Sequence, residues 1–418
     1  MYMGRFLNSL TIRRWMIIGL LNLVLVSGFG LLMRFKVLMP LPFIEQKQIM
    51  HAHSHFAFSG WLSHVLMLLF VMVIGRKRGG DALPRKYQLI LLGNLVVSYG
   101  MLITFTYQGY GPYSIFFSTL SIFLSYVFAY IARRDLRVSD LSGVVRNWLG
   151  MALFFLVLSS LGTFYLAYLV KSGNVDSRLQ LAAVYFFLHF QYNGWFFFMC
   201  MGLANHWLDQ EGVQLRYRKR VFQIFAWACI PGYLLSVLWY NLPMWLYVGL
   251  VVVVMFQLSA WTLWLNAIRQ QLKKIRTHIR MSMVAWLFCA VLLAASIKFL
   301  LQTLSVIPSL SSLAYSFRPI VVGYLHLVLL GIITFFILAF IFQTQIVAAT
   351  RKVNIAMMGF IFGVVFNELL LLLQGAGGIL GVFIPHIPLG LGVVAVVLFI
   401  SLLGLLWAVV YESKKDLR

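Results

Sequence analysis

Twelve apolar runs, each about as long as a bilayer is thick, decide what this chain can become. They lie near residues 15–33, 50–74, 88–106, 112–132, 147–170, 180–205, 221–240, 244–268, 280–304, 318–343, 354–373 and 388–411. A helical span needs about 20 mostly apolar residues. In hydrocarbon every backbone N–H and C=O must be satisfied within the protein, so such runs fold as helices. The expectation is an all-α polytopic membrane protein, a bundle of about twelve transmembrane helices. Residues 1–418 would form a single transmembrane domain with no soluble domain on either side. Composition agrees: 62% of residues are hydrophobic and 10% charged, far from soluble usage. The first run has no small-residue cleavage site behind it and reads as a helix, not a removable signal.

The net charge of +23 would suit nucleic acid if it were spread over a surface. It is not. The N-terminus, the connections 75–87, 133–146, 206–220, 269–280 and 344–353, and the C-terminal tail hold 26 of the 33 Lys and Arg residues. The alternate connections hold only Arg34, Lys36, Lys47, Lys171, Arg178 and Arg318, and Lys298 lies within a run. Basic loops stay on the cytoplasmic side, so both termini are expected there, in a cell inner membrane. The basic patches then face anionic lipid headgroups. The partner they imply is the lipid bilayer, with no role for nucleic acid.

Histidines mark the second, sixth and tenth runs: His53 in HAHSHFAFSGW, His189 in YFFLHFQYNGWFFF and His326 in GYLHLVLLG. These three runs point the same way. At 1.5 Å per residue the three side chains fall roughly 8–14 Å below one end of their helices. Ionisable groups at that depth are costly and are usually kept for a task. Neutral imidazole is also the commonest protein ligand for transition metals. A buried metal or haem site accounts for all three. A polar cap at the interface, or a hydrogen-bonded knot between helices, accounts for each one singly.

Within HAHSH, at 100° per residue, His51 and His55 share a face and His53 points nearly opposite. His64, about three turns deeper, reads as a packed core histidine. His206, His278 and His386 read as surface residues. Lys298 and Glu368 reach a depth similar to the three histidines and could pair, hold haem propionates or pass a proton. Cys200, Cys229 and Cys289 stand singly, with no CxxC or CxxCH, which argues against a disulfide frame, a cysteine zinc site and covalent haem. Segments 305–317 and 374–388 read as irregular, the second as a turn or re-entrant loop.

At the three histidine segments the chain resembles subunit I of the haem–copper oxidases, above all the nitric oxide reductase branch. That family has twelve helices. Its sixth-helix motif H-L-W-V-E-G is similar to His189-Phe190-Gln191-Tyr192-Asn193-Gly194, and its tenth-helix motif H-x-H-L is similar to Tyr324-Leu325-His326-Leu327. The HAH…GW pattern resembles small subunit-I-like membrane proteins. The resemblance implies a low-spin haem b held by His53 and His326. It also implies a second metal, copper or non-haem iron, at His189, with His51 and His55 as further ligands by similarity to twelve-helix response proteins of nitric oxide metabolism. A cytochrome or quinol electron donor, or a partner subunit, would accompany it.

Departures from the family pattern weigh against catalysis. The seventh run has no histidine and carries Pro231-Gly232, Tyr324 replaces the first histidine of the tenth-helix motif, and Asn193 replaces the sixth-helix glutamate. The propionate-binding arginine pair is missing. The binuclear centre of an oxidoreductase is therefore incomplete. What remains is a haem-binding membrane protein of electron transfer or of nitric oxide- or haem-linked respiration. The alternative is a secondary transporter of twelve helices, with Lys298 and Glu368 as coupling residues.

Overall fold

The computed structural model describes residues 10–75, 82–240, 242–310, 318–382 and 384–415. The described residues are helical apart from turns and one isolated bridge between Thr11 and Ala82. The long elements are α1 (Ile12–Leu38), α2 (Gln46–Gly75), α3 (Arg85–Gln108), α4 (Pro112–Arg137) and α5 (Gly143–Lys171). Next come α6 (Ser177–His189, Phe190–Phe196 and Phe197–Gln210, unbroken), α7 (Arg218–Cys229 and Pro231–Val237) and α8 (Met244–Gln270). The last are α9 (Ser282–Leu304), α10 (Arg318–His326, Leu327–Thr334 and Phe335–Gln343), α11 (Arg351–Ile379) and α12 (Ile387–Lys415). A short helix, Leu272–His278, joins α8 to α9.

Ten of these helices are long and apolar enough to cross a membrane, and the two pieces of α7 make an eleventh if they count as one span. The chain is therefore a multi-pass membrane protein. α6 has the length, but His189, Gln191 and Asn193 interrupt its apolar run. The sequence predicts twelve such spans, and ten or eleven are found among the described residues. The sequence reading differs mainly at 374–388, where α11 continues through Gly375, Gly377 and Gly378 to Ile379 before the chain turns. Of the connection 305–317, residues 311–317 lie outside the described ones, as do residues 76–81 of the basic connection 75–87.

Burial varies strongly from helix to helix. In the most apolar stretch, 72% of α2 and of α10 is buried, but only 17% of α4. α4 presents Ile115, Phe116, Phe123 and Tyr130 outward, as a lipid-facing helix should. The most apolar stretches of α2 and α10 are instead largely buried.

The chain forms two compact units. The first comprises Met1–Phe128, Met281–Phe288 and Thr334–Arg418; in it α12 packs on α11 and α1, and α2 packs on α1 and α3. The second comprises Ala129–Arg280 and Cys289–Ile333; in it α5 packs along α6, and α7 along α8. At one end of the second unit Asp209 accepts from Ser142 (2.6 Å) and pairs with Arg218, Glu211 pairs with His278 (2.9 Å), and Lys274 donates to the Gly212 carbonyl (2.8 Å). Three of the basic connections thus meet at the same end. His278 is engaged there, and His206 is buried instead of lying on the surface.

Gly162 brings α5 close against the backbone of α6. A Cβ there would stand 2.5 Å from the Ala183 carbonyl oxygen and 2.9 Å from the Phe187 nitrogen. Both are backbone atoms that cannot rotate away. Gly162→Ala should therefore lower stability by about 1–3 kcal/mol through overpacking. Thermal unfolding of the purified protein in detergent tests this; an unchanged midpoint would show that α5 and α6 separate freely.

Candidate functional site

Three helices break their regular winding beside a histidine. α2, α6 and α10 each contain a π turn, at Ala57–Ser63, Phe190–Phe196 and Leu327–Thr334. Each turn begins within two residues of a histidine: His55, His189 and His326. Each also contains a glycine five residues after that histidine: Gly60, Gly194 and Gly331. π turns are rare and concentrate at functional positions. The sequence reading above did not find this. The signal was present, as the recurrence H-x-x-x-x-G in HFAFSG, HFQYNG and HLVLLG.

In the first unit, side chains hold the irregular turn of α2. Asn22 of α1 donates to the Gly60 carbonyl (2.6 Å), Tyr99 of α3 donates to Asn22 (2.8 Å), and Asn94 donates to the Ser59 carbonyl (3.0 Å). Trp61 donates to Thr334 (3.1 Å). The bonds from Asn22 and Asn94 satisfy carbonyls that a widened turn would otherwise leave buried without partners. His64 is fully buried beside Asn94 (3.3 Å), the packed core residue expected.

The HAHSH histidines divide as helix geometry requires. His53 turns toward α1, where its Nδ1 donates to the Val26 carbonyl at 3.0 Å. His51 and His55 turn the other way, toward α3 and the turn after it. The His55 ring stacks on Phe105 with centroids 4.2 Å apart, and its Nε2 lies 3.2 Å from the Tyr110 hydroxyl. The His51 ring meets Tyr110 edge-on at 4.6 Å.

In the second unit, the centre of α6 faces the break in α7. The two pieces of α7 bend by 47°. Pro231 has no N–H to donate, so carbonyls of the preceding turn lose their helical partners. Side chains replace them. His189 Nε2 donates to the Cys229 carbonyl (2.8 Å), and Gln257 of α8 donates to that of Ala228 (3.4 Å). A carbonyl only accepts, so His189 carries its proton on Nε2, and its Nδ1 accepts from Asn193 (3.1 Å). Both ring nitrogens of this buried histidine are therefore committed.

Lys298 of α9 is also buried here. It donates to Gln302 (3.0 Å) and lies over the Phe299 ring at 4.2 Å. Tyr324 at the start of α10 meets Tyr192 edge-on at 6.2 Å. Glu368, in the first unit, accepts from its neighbour Asn367 (3.1 Å).

His326 repeats the arrangement of His53. Its Nδ1 donates to a backbone carbonyl, that of Val322, at 2.8 Å. In both rings Nδ1 therefore carries a proton. A carbonyl partner on Nδ1 is the usual way a protein orients an imidazole whose Nε2 binds a metal. Residues 321–327 of α10 are partly exposed at every position, whereas 331–343 are buried throughout. Residues 27–36 of α1, beside His53, are likewise all partly exposed.

His189, one of the residues expected for a second metal, has no ring nitrogen left for one. Among the described residues no three His, Cys, Asp or Glu side chains group to hold a metal ion. No protein-family model matches this chain, and no curated protein is significantly similar to it.

Proposed function

We propose that this chain is a haem-binding electron-transfer protein of a cell inner membrane, related to subunit I of the haem–copper oxidases, in which His53 and His326 would hold a b-type haem. One observation carries the reading: of the histidines in the three motif helices, these two share the tautomer that turns Nε2 into a ligand, and His189 has the opposite one. A haem held by both imidazoles would supply electron transfer and would offer no open site to a gas. The protein's own part is to fix both rings through backbone carbonyls and to surround them with apolar helix surface.

The absorption spectrum of the purified protein is the direct test. A Soret band with about one haem per chain supports the reading. A colourless preparation from haem-replete cells would overturn it and favour transport. A membrane cytochrome or quinol is the donor class that fits such an acceptor.

Twelve spans with both termini in the cytoplasm complete the proposal, with α6 and the two pieces of α7 as the sixth and seventh. Two observations support the orientation: the Lys and Arg alternation, and the gathering of three basic connections at one end of the second unit. Lys219, exposed in one of those connections, is a suitable probe. Lys219→Cys should resist a membrane-impermeant thiol reagent in intact spheroplasts and react after permeabilisation. Efficient reaction from outside would reverse the topology.

A further inference from the structure

Of the ten Asp and Glu residues, only Glu368 lies in the interior of an apolar run, and the haem reading makes no use of it. It stands past the middle of the 29-residue α11. At 1.5 Å per residue it is roughly 25 Å from Arg351, well within the hydrocarbon. Its neighbour Asn367 is buried, but Glu368 is only partly so. Val365, Phe366, Leu369 and Leu372 surround it on the helix surface, and all four are exposed. The carboxyl thus lies on the outward face of α11, and among the described residues it accepts one hydrogen bond, from Asn367 at 3.1 Å. Ionisable groups inside a membrane almost always face protein or a water-filled cavity. Residues 112–132 of the lipid-facing α4, by contrast, include no charged side chain.

We propose that this face of α11 is the contact between two copies of the chain, paired about a twofold axis along the membrane normal, with the two Glu368 side chains hydrogen-bonded to each other. Both copies insert in the same direction, so a symmetric pair sets each residue at the depth of its own equivalent. A protonated carboxyl both donates and accepts, whereas Lys and Arg only donate. Glu368 therefore complements itself. Lys298, the one Lys or Arg deep within a run, is buried and donates to Gln302, so it is not offered to a second copy. The surrounding surface suits a helix pair. Met358, Phe362, Val365, Leu369 and Leu372 are exposed at alternating steps of four and three, the spacing of a two-helix seam. Glu368 stands at the edge of that seam, beside Leu369. Apolar contact alone gives little drive for association in lipid, and hydrogen bonds between helices supply it.

The experiment uses full-length protein with a C-terminal fluorescent tag, reconstituted in liposomes over a range of protein-to-lipid ratios. Single-molecule photobleaching counts the copies. Dimers are expected, and E368L should raise their dissociation constant about three- to thirtyfold, the effect of one interhelical hydrogen bond. E368Q should keep most of the association, because an amide also donates and accepts. Leucine suits an outward face, so E368L should keep the parent's thermal midpoint, which separates lost pairing from lost folding. With the exposed native thiol removed (C289S), L372C should form a disulfide-linked dimer on mild oxidation, and F123C on α4 should not. Monomers at every density would leave the face to lipid. Equal association of E368L and the parent, or cross-linking through F123C and not L372C, would put the contact elsewhere. Displacement of the second copy by a polyleucine transmembrane peptide with one central Lys would assign the face to a partner of opposite charge. Each of these three results overturns the proposal.

Discussion

Alanine at either His53 or His326 is expected to remove the haem absorption of the purified protein. Loss of an outer-shell partner of a metal-bound histidine already costs about 10–100-fold in affinity, so loss of the ligand itself should leave little haem after purification. The two variants should behave alike, because each would remove one of the two residues proposed to hold the haem. Methionine at either position keeps an axial ligand and should raise the reduction potential while retaining part of the haem. His64→Ala and His386→Ala should keep full haem content, since neither side chain takes part. If both single alanine variants kept a normal Soret band, the iron would have other ligands and the assignment would fail.

His189→Ala is expected to cost stability, not colour. The substitution strips the Cys229 carbonyl of its donor and leaves the Asn193 amide without its acceptor, in a buried place. With the cavity added, the loss should be about 2–4 kcal/mol. Unfolding in detergent measures it, and haem content should stay unchanged. His189→Gln can still donate to the carbonyl and should recover part of the loss. Haem-loaded protein with a reduced donor is expected not to sustain multi-electron reduction of oxygen or nitric oxide. Sustained turnover that disappears in His189→Ala would return this residue to a metal centre.

Much of the architecture was legible in the residues because membrane folding obeys few rules. Length and apolarity located the helices, and charge alternation grouped the connections that Ser142–Asp209 and His278–Glu211 now tie together. The division of HAHSH into two faces followed from 100° per residue alone. Other features depended on partners distant in sequence. The break at Pro231 was visible, but not that His189 and Gln257 would serve the carbonyls it frees. The glycines near 375–378 suggested a turn, yet the demand for internal hydrogen bonds in an apolar setting keeps α11 helical through them. His206 looked superficial from its place near a basic connection, and packing buried it. Which nitrogen of each histidine bears the proton depends on a carbonyl elsewhere, and no pattern in the chain encodes that.

The π turns also change how these helices can vary over time. One extra residue in the winding offsets everything before it by about 100° and 1.5 Å relative to everything after it. In α10 the segment after the turn is packed on all sides, and the segment before it carries His326. The two halves of such a helix are therefore set by separate constraints. A deletion inside Leu327–Thr334 would swing the histidine to another face without touching the packed half. A substitution near His326 could alter the ligand set without disturbing the packing beyond the turn. Chemistry could be lost or exchanged at one end of α2, α6 and α10 while the other end kept its packing.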